Sequence, residues 1–229
     1  MKVSVLIPVY NEEATVAEII SRVQKAELPQ GATKEIIVVN DGSKDRTAEI
    51  LNRFQGQPGI IVLHQENQGK TGALLTAMKA SSGDIFLIQD ADLEYDPQQY
   101  PLLLDPIIKG QAQAVYGSRF LGKIEKMEPI NRWANTISNW TINWLYSTKM
   151  TDINTCYKVF TRRSFEGISI HGNHFALDTE LTVKLLKKGI PIKEVSINYV
   201  ARSRAAGKKI KWSTALAMYW PIIKYRFAN

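Results

Sequence analysis

The sequence predicts a single α/β domain whose central, mostly parallel sheet is doubly wound, with helices on both faces. Short apolar, β-branched segments alternate with helical patterns through the first half of the chain. The segment Ile36–Val39 is apolar without interruption, as in strands that are buried on both faces. Polar clusters follow three of the predicted strands, which is where ligands bind in such sheets.

The predicted elements follow one another in a regular order in the first half of the chain. Strands are predicted at Val3–Val9, Glu35–Asn40, Ile60–Gln65, Ile85–Gln89 and Ala114–Tyr116. Helices are predicted between them at about Glu12–Lys25, Thr47–Phe54, Thr71–Ser81 and Gln98–Lys109. The second half is less regular, with helices at about Ile130–Tyr146 and Thr179–Lys188 and strands at about Cys156–Phe160 and Ile192–Ile197.

Composition limits the class of protein. The 229 residues, 45% of them hydrophobic, suffice for one full core, and no domain boundary is evident. We divide the domain only by expected role, into a nucleotide-sugar-binding half at about 1–117 and an acceptor-binding half at about 118–229. The single cysteine, Cys156, excludes an intrachain disulfide and favours a reduced, cytosolic environment. We recognise neither a signal peptide nor an apolar run long enough to span a membrane.

The net charge of +7 is concentrated at the C-terminal end. No acidic residue follows Glu194, and the rest of the chain has 22 basic and 22 acidic residues. Such a segment can face solvent only, or it can meet substrate phosphates, anionic lipid headgroups or nucleic acid. No nucleic-acid-binding module is recognisable, so we do not expect that last partner. The basic residues after Glu194 are Arg202, Arg204, Lys208, Lys209, Lys211, Lys224 and Arg226.

The motif Asp90-Ala91-Asp92 follows a predicted buried strand. Residues two apart in extended backbone project to the same side, so the two carboxylates can form a compact oxygen site. Mg²⁺ or Mn²⁺ suits such a site and would take its remaining ligands from water and phosphate. Glu94 lies on the same alternation and could contribute. An isolated Asp-x-Asp pair can also be a solvated turn; the strand-end setting favours a metal and diphosphate site.

A second polar cluster, Asn40-Asp41-Gly42-Ser43, ends the second predicted strand. It is typical of a tight turn followed by a helix N-cap, and that role is compatible with a binding function. The Asp41 carboxylate can accept a hydrogen bond from a nucleobase N–H. Pro8, Tyr10 and Glu12, at the end of the first strand, would complete the nucleoside pocket, with Tyr10 packed on the base or ribose.

Lys70 is predicted to lie in the first turn of a helix, where a cation opposes the helix dipole. A phosphate partner would explain its position. The surrounding residues, Asn67-Gln68-Gly69-Lys70-Thr71-Gly72, lack the glycine spacing of a Walker A loop, which argues against an ATPase.

Two patterns in the second half allow two interpretations each. Asp178 and Glu180 open a predicted helix, where they could satisfy free N–H groups or supply a general base for a hydroxyl acceptor. The second pattern is a stripe of side chains with the spacing of one helix face. Such a stripe is typical of core packing, but also of a helix that lies in a membrane interface. Its members are Trp133, Ile137, Trp140 and Trp144.

Several of these motifs together resemble the inverting family-2 glycosyltransferases, which have a GT-A fold. Within that family the chain is similar to the polyprenyl-phosphate (dolichyl-phosphate) mannosyl- and glucosyltransferases. The resemblance covers nearly the whole chain. It rests on Val5–Glu12, Val39–Ser43, Gly69-Lys70, Asp90-Ala91-Asp92, Gly117–Arg119, Thr151-Asp152, Tyr157-Lys158, Asp178–Glu180 and Tyr199–Ile210.

The resemblance implies a metal-dependent transfer of a hexose from UDP-glucose or GDP-mannose to a polyprenyl phosphate. It implies catalytic roles for Asp92, Arg119, Arg202 and Asp178. A larger set would bind the donor nucleotide-sugar: Pro8, Tyr10, Glu12, Asp41, Lys70, Asp90, Ala91 and Asp92. The metal ligands would be Asp90, Asp92 and Glu94, and the acceptor phosphate would meet Arg119, Arg202, Arg204, Lys208 and Lys209. Two positions depart from the family pattern: Ala206 replaces a common acidic residue and Cys156 a common glycine.

Two other functions remain open from the sequence. One is transfer to a saccharide hydroxyl, with Asp178 or Glu180 as base, and the other is nucleotide binding without turnover. For the lipid-phosphate function we expect a cytoplasmic enzyme peripheral to the cytoplasmic face of a membrane.

Overall fold

A seven-stranded sheet forms the centre of the molecule. The computed structural model describes residues 1–171, 176–201 and 221–227. The strands are β1 Lys2–Val9, β2 Thr33–Asp41, β3 Ile60–Gln65, β4 Ile85–Ile88, β5 Ala114–Ser118, β6 Ile124–Glu125, β7 Lys158–Thr161, β8 Ile192–Ser196 and β9 Tyr199–Val200. The strand order within the sheet is β3-β2-β1-β4-β7-β5-β8, and β6 pairs with β9 in a separate two-stranded sheet.

The sheet is mostly parallel, as predicted. β1 pairs in parallel with β2 on one side and β4 on the other, and β2 pairs in parallel with β3. The exception is β7, which is antiparallel to both of its neighbours, β4 and β5. Strands from both halves of the chain therefore share one sheet, and the carboxyl ends of β1, β2 and β4 lie at the same edge.

The described residues contain seven labelled α-helices and a further helical segment at 221–227. The prediction for the first helix is wrong at its start, because Glu12 belongs to a turn in which its carbonyl accepts hydrogen bonds from the Thr15 and Val16 amides. Sequence patterns also missed α6, which is a single turn, and the two-residue strands β6 and β9. The helices are α1 Val16–Lys25, α2 Thr47–Leu51, α3 Gly69–Ala80, α4 Tyr100–Ile108, α5 Pro129–Tyr146, α6 Arg162–Phe165 and α7 Ala176–Lys187.

Apolar side chains form the core between the sheet and the helices that cover it. In β2 the segment Ile36–Val39 is buried throughout, as its unbroken apolar sequence predicts. In α1 the buried residues are Val16, Ile19, Ile20 and Val23, which is the spacing of one helix face. A smaller cluster joins Ile142 of α5 to Ile222 and Tyr225 of a helix at 221–227. No described helix is both long enough and apolar enough to cross a membrane.

The carboxylate of Glu35 is buried at the edge of the sheet opposite the carboxyl ends of the strands. Glu35 accepts hydrogen bonds from the Ser4 hydroxyl at 2.7 Å and from the backbone amides of Ser82 and Gly83 at 2.6 and 3.0 Å. It also pairs with the Lys2 ammonium at 2.6 Å. Burial raises the pKa of this carboxyl, but the hydrogen bonds from Lys2, Ser4 and Ser82 outweigh it and lower the pKa to about 2.

Replacing Glu35 with glutamine is expected to lower the free energy of unfolding at pH 7 by about 1–2 kcal/mol, because the folded state loses a carboxylate that its partners stabilise. The loss stays this small because solvent partly screens the Lys2 partner. The folded pKa lies below the unfolded value of 4.5. The carboxylate therefore stabilises the fold above about pH 4.5 and loses this effect as the pH falls towards 2. Urea denaturation from pH 7 to pH 2 checks this: the difference between the two proteins should shrink below pH 4.5. A difference that stays constant to pH 2 would contradict the assignment.

Candidate functional site

Three polar segments meet at the carboxyl edge of the sheet. β2 ends at Asp41, and β4 is followed directly by Gln89 and Asp90. Lys70, in the first turn of α3, reaches the same edge and contacts Asp90. The expectation that these residues gather where ligands bind in α/β sheets therefore agrees with the geometry.

Asp41 is buried at the tip of β2 and fixes the loop that precedes α3. Its Oδ1 accepts hydrogen bonds from Gln65 Nε2 at 2.7 Å and from the Gln68 amide at 2.9 Å. Within the described residues no donor reaches its Oδ2, so this oxygen can accept a further hydrogen bond. Gly42 has φ of +70°, and a Cβ there would lie 2.8 Å from the Asn67 amide nitrogen. Only glycine fits this turn, because both the left-handed backbone and the close approach exclude a side chain.

The loop after β1 is tied to the loop after β2. The Asn11 amide donates to Ser43 Oγ at 3.0 Å, and Asn11 Oδ1 accepts from the Lys44 amide at 2.7 Å. The Glu12 amide donates to Thr47 Oγ1 at 2.9 Å. Tyr10 stands on this loop with 36% of its surface exposed, as a side chain that packs on a ligand requires. The loop that carries Tyr10 and Glu12 is thus held beside the turn that follows Asp41.

A chain of four alternating charges extends inward from this edge. Lys70 Nζ lies 2.8 and 3.1 Å from the two Asp90 oxygens and 3.7 Å from Asp178 Oδ2. On its other side, Asp178 Oδ1 lies 3.1 Å from Lys158 Nζ. Lys158 is fully buried in β7; it also donates to the Thr155 carbonyl and lies 5.0 Å from the centre of the Tyr116 ring.

Neighbouring groups in this series of four charges shift one another's pKa values. Burial raises the pKa of Asp178, but Lys158 and Lys70 outweigh it, so the pKa lies below its ordinary value. Burial lowers the pKa of Lys70, but Asp178 and Asp90 outweigh it and raise it well above the ordinary range. For Lys158 burial prevails over the attraction of Asp178, and its pKa is lowered. Asp178 is therefore an ionised carboxylate with a low pKa, which makes it a weak proton acceptor.

Glu180, the other candidate base, is fully buried and bonded. It accepts from the His171 amide at 3.0 Å and pairs with Lys184 at 2.6 Å, one helical turn further along α7. These partners give Glu180 a structural role at the start of α7.

The predicted metal ligands are not gathered into one cluster. Glu94 Oε2 accepts from the Tyr199 hydroxyl at 2.5 Å, and Asp92 Oδ1 accepts from the Glu94 amide at 3.1 Å. Among the described residues, no three His, Cys, Asp or Glu side chains converge closely enough to hold a metal ion. Asp90 is nonetheless suited to a divalent ion, because both of its oxygens already contact a cation, the Lys70 ammonium. Two carboxylates completed by phosphate oxygens form the hard donor set that Mg²⁺ and Mn²⁺ prefer.

Arg119 follows β5 and is held by a bidentate ion pair. Its Nε and Nη2 donate to the two Asp152 oxygens at 2.7 and 2.8 Å, and its backbone amide donates to Asp152 Oδ2 at 3.0 Å. Its guanidinium also lies 5.1 Å from the centre of the Tyr199 ring. Burial lowers the pKa of this guanidinium, but Asp152 outweighs it and raises it further above its usual range. Nη1 has no acceptor among the described residues.

The Arg119–Asp152 pair rests on a further carboxylate that sequence patterns missed. Glu194 in β8 accepts from the backbone amides of Thr151 and Asp152 at 2.7 and 2.8 Å. On the opposite side, Asn135 of α5 accepts from Arg119 Nη2 at 3.4 Å. The pair is therefore fixed between β8 and α5.

Three other residues support the site although the sequence assigned no role to them: Gln89, Cys156 and Lys158. Gln89 accepts from the Tyr100 and Tyr157 hydroxyls at 2.8 and 2.9 Å and donates to the Asp90 carbonyl at 2.9 Å. The Asp90 amide lies 3.2 Å from Cys156 Sγ. The one available signal was for Lys158, a lysine inside an otherwise apolar predicted strand, which is unusual unless the charge is paired.

Four of the predicted phosphate-binding residues lie outside the described residues. They are Arg202, Arg204, Lys208 and Lys209.

A glycosyl transferase family 2 model matches residues 4–168, which contain most of β1, all of β2 to β7 and most of the site. The chain belongs to glycosyl transferase family 2. The family resemblance inferred from the motifs is therefore confirmed. The dolichol-phosphate mannosyltransferase of Pyrococcus furiosus is 32% identical over 221 residues, with 93% of this chain and 60% of that protein covered. An undecaprenyl-phosphate 4-deoxy-4-formamido-L-arabinose transferase of Pseudomonas aeruginosa is 32% identical over 72% of this chain and 49% of that protein.

Solved structures confirm the GT-A-like fold of this family 2 chain. Glucosyl-3-phosphoglycerate synthase of Mycobacterium tuberculosis, crystallised with Mn²⁺, uridine diphosphate and glucosyl-3-phosphoglycerate, superposes with a TM-score of 0.74. The superposition covers 98% of this chain and 78% of that one, at 20% sequence identity. The chain spans about half to three fifths of the length of the two polyprenyl-phosphate transferases.

Proposed function

We propose that this chain transfers a hexose from a nucleotide-sugar to a polyprenyl phosphate, with inversion at the anomeric carbon. The two transferases described above, both named for polyprenyl-type phosphates, support this acceptor class. UDP-glucose and GDP-mannose are the two donors that we consider.

The state of Asp178 carries the choice of acceptor. A hydroxyl acceptor needs a base whose pKa lies near the working pH. Asp178 is held ionised at low pKa by two lysines, and Glu180 is buried in structural bonds. A phosphate is already ionised and needs no such base. The site therefore favours a phosphate acceptor over a saccharide hydroxyl.

In the proposed reaction an oxygen of the acceptor phosphate forms a bond to the anomeric carbon. The bond between that carbon and the diphosphate breaks on the opposite face, and the nucleoside diphosphate leaves with the bonding electrons. Lys70, which is ion-paired with Asp90, adds positive charge beside the departing diphosphate. Asp41 accepts a hydrogen bond from the base through Oδ2, and Tyr10 packs on the nucleoside. Arg119 meets a phosphate through Nη1.

Asp90 and Asp92 would hold a divalent ion together with the donor diphosphate. When bound, Mg²⁺ or Mn²⁺ neutralises the charge that develops on the leaving group. Asp178 keeps Lys70 protonated and near this group, and Lys158 keeps Asp178 ionised. Lys158 therefore has a positioning role, because it is fully buried in β7.

A lipid-linked acceptor requires the enzyme to work at a membrane surface. We propose that it acts as a peripheral protein at the cytoplasmic face. The single buried cysteine suits a reducing compartment.

The decisive experiment supplies purified protein and Mn²⁺ with radiolabelled UDP-glucose or GDP-mannose. Undecaprenyl phosphate and a set of soluble oligosaccharides are offered as acceptors in separate reactions. We expect label in the organic phase with the lipid phosphate and with one of the two donors. Label transferred to the oligosaccharides only would contradict the proposed acceptor. A thermal-shift panel of nucleotides with Mn²⁺ identifies the base, because a ligand that binds the folded state raises its melting temperature.

A further inference from the structure

Helix α5 has two chemically different faces. Its inner face is buried through Asn135, Ser138, Asn139 and Ile142 and contacts the segment that carries Asp152. The opposite face is apolar and open to solvent, with Trp133, Trp140 and Trp144 exposed by 68%, 67% and 71%. Within the described part of the chain this stripe is therefore not packed into the core, the commoner of the two interpretations of its sequence.

The helix at 221–227 packs against the C-terminal end of α5 and exposes further apolar side chains. It packs on α5 through a hydrogen bond of 2.9 Å from the Tyr146 hydroxyl to the Ile222 carbonyl. Ile222 and Tyr225 point into the joint cluster, while Ile223 and Phe227 are exposed. We call the exposed residues of these two helices the aromatic face: Ile130, Trp133, Ile137, Trp140, Trp144, Ile223 and Phe227.

The two helices of the aromatic face carry only basic charges, and the acidic residue closest to α5 in the sequence is Glu128, its N-cap. Neither α5 nor the segment 221–227 contains an acidic residue. Four exposed basic residues adjoin it on these helices and on the turn after α5: Arg132, Lys149, Lys224 and Arg226. Exposed tryptophans beside cations are the pattern of a surface that enters the headgroup region of an anionic bilayer.

We propose that the aromatic face docks on an anionic lipid surface, with the tryptophans at headgroup depth. This proposal rests on the proposed function only for its purpose, which is to meet a lipid-linked acceptor. α5 would then connect the membrane to the site directly, since its inner face contacts Arg119 through Asn135.

Charge complementarity favours a lipid surface over a second copy of the chain. A two-fold contact would bring the four cations of one copy against the same four of the other, and like charges repel. Anionic headgroups would neutralise them. Trp140 and Trp144 stack at 6.2 Å with ring planes 3° apart, which leaves both indoles on the same open surface.

The test is sedimentation of the full chain with vesicles of phosphatidylcholine containing 30% phosphatidylglycerol, compared with pure phosphatidylcholine, at about 0.1 M salt. We expect binding to the anionic vesicles. Replacing Trp133, Trp140 and Trp144 together with serine should weaken it by about tenfold or more. The variant Lys224→Gln/Arg226→Gln should weaken binding to anionic vesicles only. The matched control is Leu102→Ser/Ile61→Ser, which removes two exposed apolar side chains on other elements and should bind as the original chain does.

The possible failures are separable. Unchanged vesicle binding by the triple tryptophan variant, with folding verified by its melting temperature, would overturn the proposal. So would a chain that is dimeric by light scattering, ignores vesicles and becomes monomeric in that variant, because the face would then join two copies. Transfer to a short-chain prenyl phosphate dissolved in detergent tests the proposed function separately, and the triple variant should retain it. Absence of transfer in every form would contradict the function and leave the vesicle result standing.

Discussion

Replacing Asp92 with alanine should reduce sugar transfer by at least about 100- to 1,000-fold, because the site loses one of the two carboxylates that would hold the divalent ion against the negatively charged diphosphate. Asp92 Oδ1 also accepts the Glu94 amide in a turn where Leu93 has φ of +63°. Asp92→Asn keeps an oxygen for that amide and removes only the charge. Both variants should lose activity to a similar extent, as measured by initial rates at saturating donor and Mn²⁺.

The matched control is Asp105→Ala, which removes an exposed carboxylate paired with Lys109 on α4. It should keep full activity and shift the melting temperature by no more than about 2 °C. An Asp92→Asn variant with full activity would exclude the charge of Asp92 from catalysis. An Asp92→Ala variant that is inactive beside an active Asp92→Asn variant would assign the effect to the turn.

Replacing Asp152 with alanine should lower the free energy of unfolding by about 3–5 kcal/mol, because the buried Arg119 guanidinium loses its counter-charge. For a chain of this length the melting temperature should fall by on the order of 10 °C. Calorimetry or urea denaturation measures the loss. A loss below about 1 kcal/mol would contradict the view that the pair is buried and unscreened.

The double variant Arg119→Met/Asp152→Asn separates stability from function. It removes the unpaired charge and keeps an oxygen that can accept the Arg119 backbone hydrogen bond, so most of the lost stability should return. If Arg119 meets a phosphate through Nη1, the stable double variant stays inactive. Recovery of transfer together with stability would make the pair purely structural.

Local sequence patterns were sufficient to predict the parallel part of the sheet and the residues at its carboxyl edge. Apolar segments identify β1, β2 and β4, and the polar residues after them follow at once in the chain. Helix limits differ by one to four residues where a turn precedes the helix, as before Val16. Such turns depend on side-chain hydrogen bonds between loops, such as that from the Glu12 amide to Thr47.

The partners of the charged residues could not be predicted in the same way. Lys70 in a first helical turn indicated a phosphate, whereas the structure pairs it with Asp90 and Asp178. The family resemblance implied that Arg119 meets a phosphate, whereas the structure pairs it with Asp152, 33 residues further along the chain. Periodicity reports which residues are buried but not which distant residue each one meets.

The position of β7 has a consequence for the order in which a nascent chain can fold. β4 and β5 are each hydrogen-bonded to β7, which follows them by some 40 residues or more. Until Lys158–Thr161 has been synthesised, both strands present an open edge, which is the kind of surface that pairs wrongly with other chains. The same four residues bring Lys158 to Asp178. Pairing of β7 is thus a late event on which both the centre of the sheet and the charge chain depend, and truncated chains that end before Lys158 should be both inactive and prone to aggregate.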